Sequence, residues 1–505
     1  MRFKKVLIIC GIIFGLYIIA TYIYFSAEPL SLEHCPITIP NQVPLLLHDP
    51  HYPNHRFKTI NDASCLNETR VYDVLKVKTI DDIYNALTLA QEKNVPISIA
   101  GRRHSMGGQA FFKDALVLDM THFNRIINLD EKNKLLTVES GATWHQIQLY
   151  LHPKDLAVKA MQSTDIFTVG GSLAVNAHGM DHTIGSMLST VRSFTIMLAD
   201  GTIQKVTLQE HPELFNAIIG GYGLFGIVLE VELEVTENVM YERDATIVYY
   251  KDFPKFFETI IQENKYGLFY AHLSTSPLSF FKDMIMYGYK KVEHEGPFNP
   301  LGTISLVNLR RFLINLSKRR QYAKVFKWIA EKYIDPIIDK VRKKNVISRN
   351  EIMHDSVEYL ENVLINEIDI LHEYFIPQHN FIAYIDQLRP LLQKSKIPIL
   401  NASVRIVNKE SNMLNYAPQN MFAIVLYVNQ RVNPSSLRAM ETLTRDLIDL
   451  VLKFNGTFFL PYQLHYTREQ LQKAYPNIDA FFALKRKYDP SLLFMNNFYA
   501  KYAKK

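Results

Sequence analysis

The chain has 505 residues, 48% of them apolar and 12% aromatic, with 56 basic against 50 acidic side chains. That length exceeds one ordinary core and predicts two domains plus a membrane element, and the composition excludes a largely disordered chain. The net charge of +6 is interspersed, and its densest cluster, Lys318-Arg319-Arg320 through Lys344, is interrupted by Trp328 and Tyr333 at helical spacing; no nucleic acid partner is expected, and a solvated helical face or a basic face lying on an anionic bilayer fits better.

Arg2, Lys4 and Lys5 precede an uncharged apolar run over residues 6–25, and at about 1.5 Å per residue this run just spans a hydrocarbon core of roughly 30 Å. It predicts one N-terminal transmembrane helix, an anchor over 1–27. The chain would then be single-pass, with its amino terminus cytoplasmic and its body on the periplasmic, extracytoplasmic side. Phe25 stands at the outer position of any cleavage site in Phe25-Ser26-Ala27, which favours an uncleaved anchor over a signal peptide. Of three cysteines, Cys10 falls in the anchor; Cys35 and Cys65 follow on the oxidising side and either pair or stay as buried thiols. Residues 28–69 carry many prolines and histidines with little periodicity and read as an extended linker.

Regular structure begins near residue 70. Residues 74–77 alternate as a strand, and Thr79 with Asp81 and Asp82 opens an amphipathic helix through Ala90. A short apolar strand over 95–100 then runs into Gly101-Arg102-Arg103-His104-Ser105-Met106-Gly107-Gly108-Gln109. A strand ending in such a turn presents N–H groups that can hold an anion such as a pyrophosphate, with the imidazole beside it. The plainer reading is a glycine-containing surface turn with one exposed histidine. Strands follow over 115–119 and 135–139, Gly141-Ala142-Thr143-Trp144 begins a helix through Tyr150, and this mixture argues for an α+β domain.

A second glycine-rich site spans 164–179, where the paired Gly170 and Gly171 open a helix that lets a diphosphate approach the backbone and Ser172 and Asn176 can add side-chain hydrogen bonds. The same glycines can also serve only close helix packing. Gly221-Tyr222-Gly223-Leu224-Phe225-Gly226 satisfies G-x-G-x-x-G, but it follows a helix over 212–219 and precedes a strand over 227–235, the reverse of a dinucleotide-binding Rossmann unit. Beyond about residue 238 longer, aromatic-rich elements mark a second domain, and the tail carries a helix over 478–488 stopped by Asp489-Pro490.

Taken together these segments resemble the FAD-linked oxidases of the vanillyl-alcohol oxidase type. The resemblance implies a PCMH-type two-part FAD-binding domain (70–238), an α+β substrate or cap domain (239–454), and a segment over 455–505 that returns to the flavin site. It implies FAD as cofactor, in many such enzymes bonded through the histidine matched here by His104. The cofactor-binding residues it implies are Gly101, Arg102, Arg103, His104, Ser105, Gln109, Asp165, Thr168, Gly170, Gly171, Ser172, Asn176, His178, Gly226, Val228 and Asn496. No metal is expected.

Three subgroups share these motifs. Gly101 to Gln109, Thr164-Asp165 and Leu464-His465-Tyr466-Thr467 are similar to cytokinin dehydrogenases, which oxidise a secondary amine. Glu373-Tyr374-Phe375-Ile376-Pro377, Ser403-Val404-Arg405, Tyr475-Pro476 and Asp489-Pro490 with Asn496 resemble aldonolactone and alditol oxidases, with Ser403 where many members have glutamate and Tyr462, Gln463 and His465 near the place of their lysine. His178-Gly179-Met180-Asp181-His182 with Gly185-Ser186 resembles decaprenylphosphoryl-ribose oxidases, which act on a lipid-carried sugar. The expected activity is FAD-dependent oxidation of a CH–OH group in a sugar-like alcohol or lactone, free or lipid-linked, with oxygen or a quinone as acceptor and the membrane as a partner. Arg405, His465 and Asp165 are the candidate catalytic residues, against readings as a strand arginine, an interface histidine and a helix cap. A flavin-free, membrane-anchored binding protein on the same fold is the alternative of another class.

Overall fold

The computed structural model describes residues 19–23, 35, 49–52, 55–302, 307–337, 346–354, 357, 360, 364 and 366–503. Three sheets organise it. The first is parallel: Leu116–Asp119 lies between Asp73–Lys76 and Ile97–Ala100. The helix Ile80–Lys93 connects these strands, and its capping box between Thr79 and Asp82 satisfies amides that the first turn leaves open. It buries Ile83, Ala86, Leu87 and Ala90, spaced to share one face.

The second sheet is antiparallel, with the long strand Ile227–Glu237 between Val191–Met197 and Leu135–Glu139. Along it every second residue is buried, as the alternation of Ile, Leu and Val with Glu demands of a strand wetted on one face. The third sheet is antiparallel and eight-stranded. In spatial order it runs Val346–Ser348, Met240–Tyr249, Asp283–Val292, Leu268–Leu273, Ile399–Val407, Met421–Arg431, Glu367–Pro377 and Thr457–Phe458.

The two faces of the third sheet are chemically different. One packs Phe269 and Phe422 against Phe253, Phe257 and Phe381 of two helices, with ring centroids 5.1–6.3 Å apart. Burying each ring stabilises by about 1.5–3 kcal/mol, so this face is the hydrophobic seam between the third sheet and its helices. Side chains alternate across a strand, so Leu371, Glu373 and Phe375 point to the other face. Their partners across Met421–Arg431 are Asn401, Ser403 and Arg405, which share that face.

The tail closes the first sheet. Ile97 bridges Phe494 in parallel, with its amide 2.6 Å from Leu493 O and its carbonyl accepting from Met495 N at 2.8 Å. Asp489 holds the approach by accepting from Leu493 N and Phe494 N, and it ion-pairs with Lys485 where neither side chain is exposed.

Part of the stretch read as a linker folds against this body. Lys58–Ile60 pairs with Thr69–Val71, and Cys35 is joined to Cys65 with Cα atoms 5.7 Å apart, so the two cysteines pair. The expected membrane run over 6–25 lies outside the described residues except for 19–23, which are helical and place Tyr22 5.3 Å from the Phe312 ring. Among the described residues no helix is long and apolar enough to cross a membrane.

Candidate active site

A cleft opens where the three sheets approach one another. Ile99 and Met120 belong to or directly follow strands of the first, Ser140 and Val228 of the second, and Leu371 lies in the third. Two glycine-rich loops form its rim and touch: a Cβ on Gly101 would lie 2.3 Å from Thr168 Oγ1. Thr168 caps the short helix Val169–Ala174, whose first amides are taken by Ala142 O, Ser140 O and the Thr168 side chain. Gly171 and Gly223 turn bare backbone to the cleft, since a Cβ on either would meet only Thr168 Oγ1 or Ile99, and any longer side chain would take cleft volume.

The loop over 101–109 is held from behind by a residue the sequence did not single out. Asp62 is buried and accepts from Gly108 N, Asn67 Nδ2, Ser64 N and Ser64 Oγ at 2.6–3.0 Å. Burial outweighs these donors and raises its carboxyl to about 6. Gln109 ties the same loop to the tail, donating to Leu460 O at 2.8 Å and Tyr462 O at 3.0 Å while accepting from Gly107 N. His104 is thereby fixed with its ring edge-on to Phe167 at 5.1 Å. Burial first, then the charges of Arg102 and Arg103, press its pKa down to about 3, so it is a neutral imidazole at physiological pH.

Tyr462, Phe459 and Leu371 also line the cleft. Tyr462 Oη donates to Glu373 Oε2 at 3.2 Å, and His178 Nε2 lies 2.6 Å from Glu373 Oε1. The His178 and Glu373 side chains are each 4% exposed. Arg405 is buried beside them; desolvation lowers its pKa, while the charge of Glu373 acts to retain the proton. Tyr462 is raised well above the phenol range by burial and by Glu373, and stays a donor. The chain therefore collects a carboxylate, an imidazole, a phenol and a guanidinium around one point on the face of the third sheet opposite the phenylalanine seam.

The expected site residues divide on this geometry. Gly101, Arg102, Arg103, His104, Ser105, Gln109, Thr168, Gly170, Gly171, Gly226 and Val228 line the cleft. Ser172 lies under it, with its hydroxyl bonded to Gln162 and Thr168 O and accepting from Trp144 Nε1. Asn176 donates to Glu410 at 2.7 Å, and Asn496 caps the last helix while donating to Tyr222 O at 2.9 Å. Asp165 lies off the cleft, its Oδ2 being 2.9 Å from His145 Nδ1 and 2.7 Å from His354 Nδ1. His465 also lies off the cleft, near Thr444 and His372, and His372 alternates to the face opposite Glu373. Glu373 and Tyr462 sit inside motifs quoted from the sequence, but only the sheet register and the tail's return bring them together.

A model of the FAD binding domain matches residues 73–207, which carry both glycine-rich loops. The chain carries an FAD binding domain. Residues 310–503 match a model for D-arabinono-1,4-lactone oxidase, so the resemblance to FAD-linked oxidases holds over both parts of the chain, and FAD is the cofactor. Decaprenylphosphoryl-beta-D-ribose oxidase of Mycolicibacterium smegmatis is 32% identical over 195 residues, which is 36% of this chain and 42% of that protein. L-gulonolactone oxidase of Mus musculus is 26% identical over 156 residues, 31% and 35% of the two chains. Cytokinin dehydrogenase 3 of Arabidopsis thaliana is 27% identical over 168 residues, 32% of each. The chain spans less than half the length of these relatives in each match. The FAD binding domain fits its cofactor on structural grounds as well: the bare backbone at Gly171 and Gly223 and the apolar walls at Ile99, Phe167 and Leu371 suit a long, partly aromatic ligand.

Proposed function

We propose that this protein is an FAD-dependent oxidoreductase that oxidises a CH–OH group of a sugar-like alcohol or lactone, free or lipid-linked, and passes the electrons to oxygen or a quinone. The observation that carries this reading is the grouping of Glu373, His178 and Arg405 around Tyr462, which lines the cleft. Bound FAD supplies the two-electron acceptor. Arg405 is placed to bind and polarise the substrate oxygen, since its charge is enclosed and faces Glu373 across the site. Tyr462, hydrogen-bonded to Glu373, offers the relay by which the hydroxyl proton reaches the Glu373–His178 pair. Neutral His104, held at the cleft wall, is in the form needed to bond a flavin carbon covalently.

The same proposal places the protein at a membrane, anchored once through residues 6–25 with its amino terminus in the cytoplasm and its catalytic body on the periplasmic side. Support comes from the uncharged length of that run and the basic residues before it.

Purified protein should show the two visible flavin bands and bleach them when given a sugar lactone or polyol substrate. A colourless preparation that binds no added FAD would leave only the binding-protein alternative. Acid precipitation should leave colour in the pellet of the wild type and release it from His104→Ala; colour wholly in the wild-type supernatant would refute the bond.

A further inference from the structure

The helices Val307–Arg319 and Gln321–Ile329, continued by the turn Ala330–Ile334, carry their polarity inside out. A helix lying on a protein in water turns its aliphatic side inward and its charges outward. Here Arg311, Lys318 and Lys324 are only 6%, 5% and 7% exposed, whereas Leu313 is 50%, Tyr322 53%, Phe326 66% and Tyr333 55% exposed. The seated side is tied to the third sheet by its cations: the enclosed Lys318 Nζ lies 2.6 Å from Asp369, the half-buried Lys327 donates to Leu400 O at 2.9 Å, and Arg319 at the edge places Nη2 2.6 Å from Glu367. The pair is thus seated by its polar side and presents its apolar side outward.

The place where it is seated connects it to the site. Asp369 and Asn401 share the sheet face of Glu373 and Arg405, and Lys327 approaches Asn401 while Glu331 lies 3.8 Å from His272, the register partner of Ser403. The helices therefore roof the same face that carries the candidate catalytic groups. Their outer side is continuous with other apolar surface: the ring of Tyr22, in the N-terminal helical turn, lies tilted against Phe312, and Ile19 and Ile23 beside it are exposed. Arg320, exposed at the junction of the two helices, adds a cation beside this surface, the arrangement of an apolar face that lies among acyl chains while its cation reaches anionic headgroups.

We infer that the outer side of the helix pair 307–334 rests in the interfacial layer of an anionic phospholipid leaflet, so that the roof of the substrate site is itself a membrane contact. The inference rests on the membrane placement proposed above and adds a second, in-plane contact to the single anchor. A second copy of the chain, or its own N-terminal run, is the competing cover.

The full chain in vesicles of phosphatidylcholine and phosphatidylglycerol separates these. With Cys10→Ser, spin labels are attached at Phe326→Cys or Tyr333→Cys, and at Ile203→Cys on the FAD binding domain as a solvent reference; Ile203 is 40% exposed. Only protein that floats with the vesicles is measured. Labels at 326 and 333 should be several-fold more accessible to oxygen and several-fold less accessible to a water-soluble nickel chelate than the label at 203. Equal nickel access at all three positions overturns the contact while leaving the anchor intact, and exclusion of both probes shows a protein cover and also overturns it. Failure of the chain to float overturns anchor and contact together.

Discussion

At the scale of single residues, the active site depends on burying groups that water would otherwise level. Glu373 is useful because it is enclosed and bonded on both oxygens, by His178 and Tyr462. Glu373→Gln keeps the shape but removes the proton acceptor, and kcat should fall by about 10²–10⁴-fold with the flavin spectrum intact. Arg405→Met should lose roughly 10²-fold in kcat through the missing charge on the substrate oxygen, again without loss of flavin. Measuring kcat and bound FAD together checks both; loss of FAD in step with activity would point to a structural role instead. Burial also sets an acid limit. Desolvation pushes His104 and His372 down to about 3 and His465 to about 4, against an ordinary value near 6.5. Above pH 6.5 both folded and unfolded states hold these rings neutral, so their contribution is flat. Below it the unfolded chain takes up protons that the folded chain refuses, and stability falls until the pH passes the folded values. Each ring should add on the order of 1.4 kcal/mol per pH unit to the slope of stability near pH 5. Denaturant titrations between pH 4.5 and 7 should show that slope reduced by about one proton in His372→Gln. None of these shifts is legible from residue order, because burial is decided by neighbours distant in the chain.

At the scale of elements, the strands and helices around the cleft were largely visible in the periodicity. The strand over 135–139 and the helix over 478–488 have the expected bounds, and the G-x-G-x-x-G run sits between helix and strand as its context required. Positive φ at Tyr222, Gly223 and Gly226 shows why that run is rich in glycine: it is a loop lining the cleft. What local signals did not reveal is how elements are tied together. The motif Asp489-Pro490 reads as a helix stop, yet its carboxylate also secures the tail strand against Ile97 and neutralises the enclosed Lys485. Asp489→Asn leaves that ammonium without its counter-charge and should cost about 3–5 kcal/mol in a denaturant titration. The pair Lys485→Met with Asp489→Asn should recover part of it, since no buried charge then remains. The linker reading missed Asp62 for the same reason: nothing near it in sequence announces that its carboxylate will hold Gly108, 46 residues on in the loop that carries His104.

At the scale of the whole molecule, the cofactor cleft lies where three sheets meet, so ligand and fold support one another. FAD binds only the folded arrangement; in His104→Ala, where no covalent bond holds it, its removal should lower the thermal midpoint, with recovery on adding FAD in proportion to the logarithm of its concentration. A midpoint insensitive to FAD, in protein that regains its colour, would show that the sheets hold their positions without it. From residue order alone one could read the glycine-rich loops, the alternation of the strands, the apolar run at the amino terminus and the likeness to FAD-linked oxidases, because these are properties of neighbours along the chain. Tertiary structure alone decided that Cys35 pairs with Cys65, that Asp165 and His465 stand off the cleft, that Glu373 joins His178, Tyr462 and Arg405, and that the helices over 307–334 turn their apolar side outward. Strand register and the return of the tail set those distances, and neither is encoded in any short stretch of sequence.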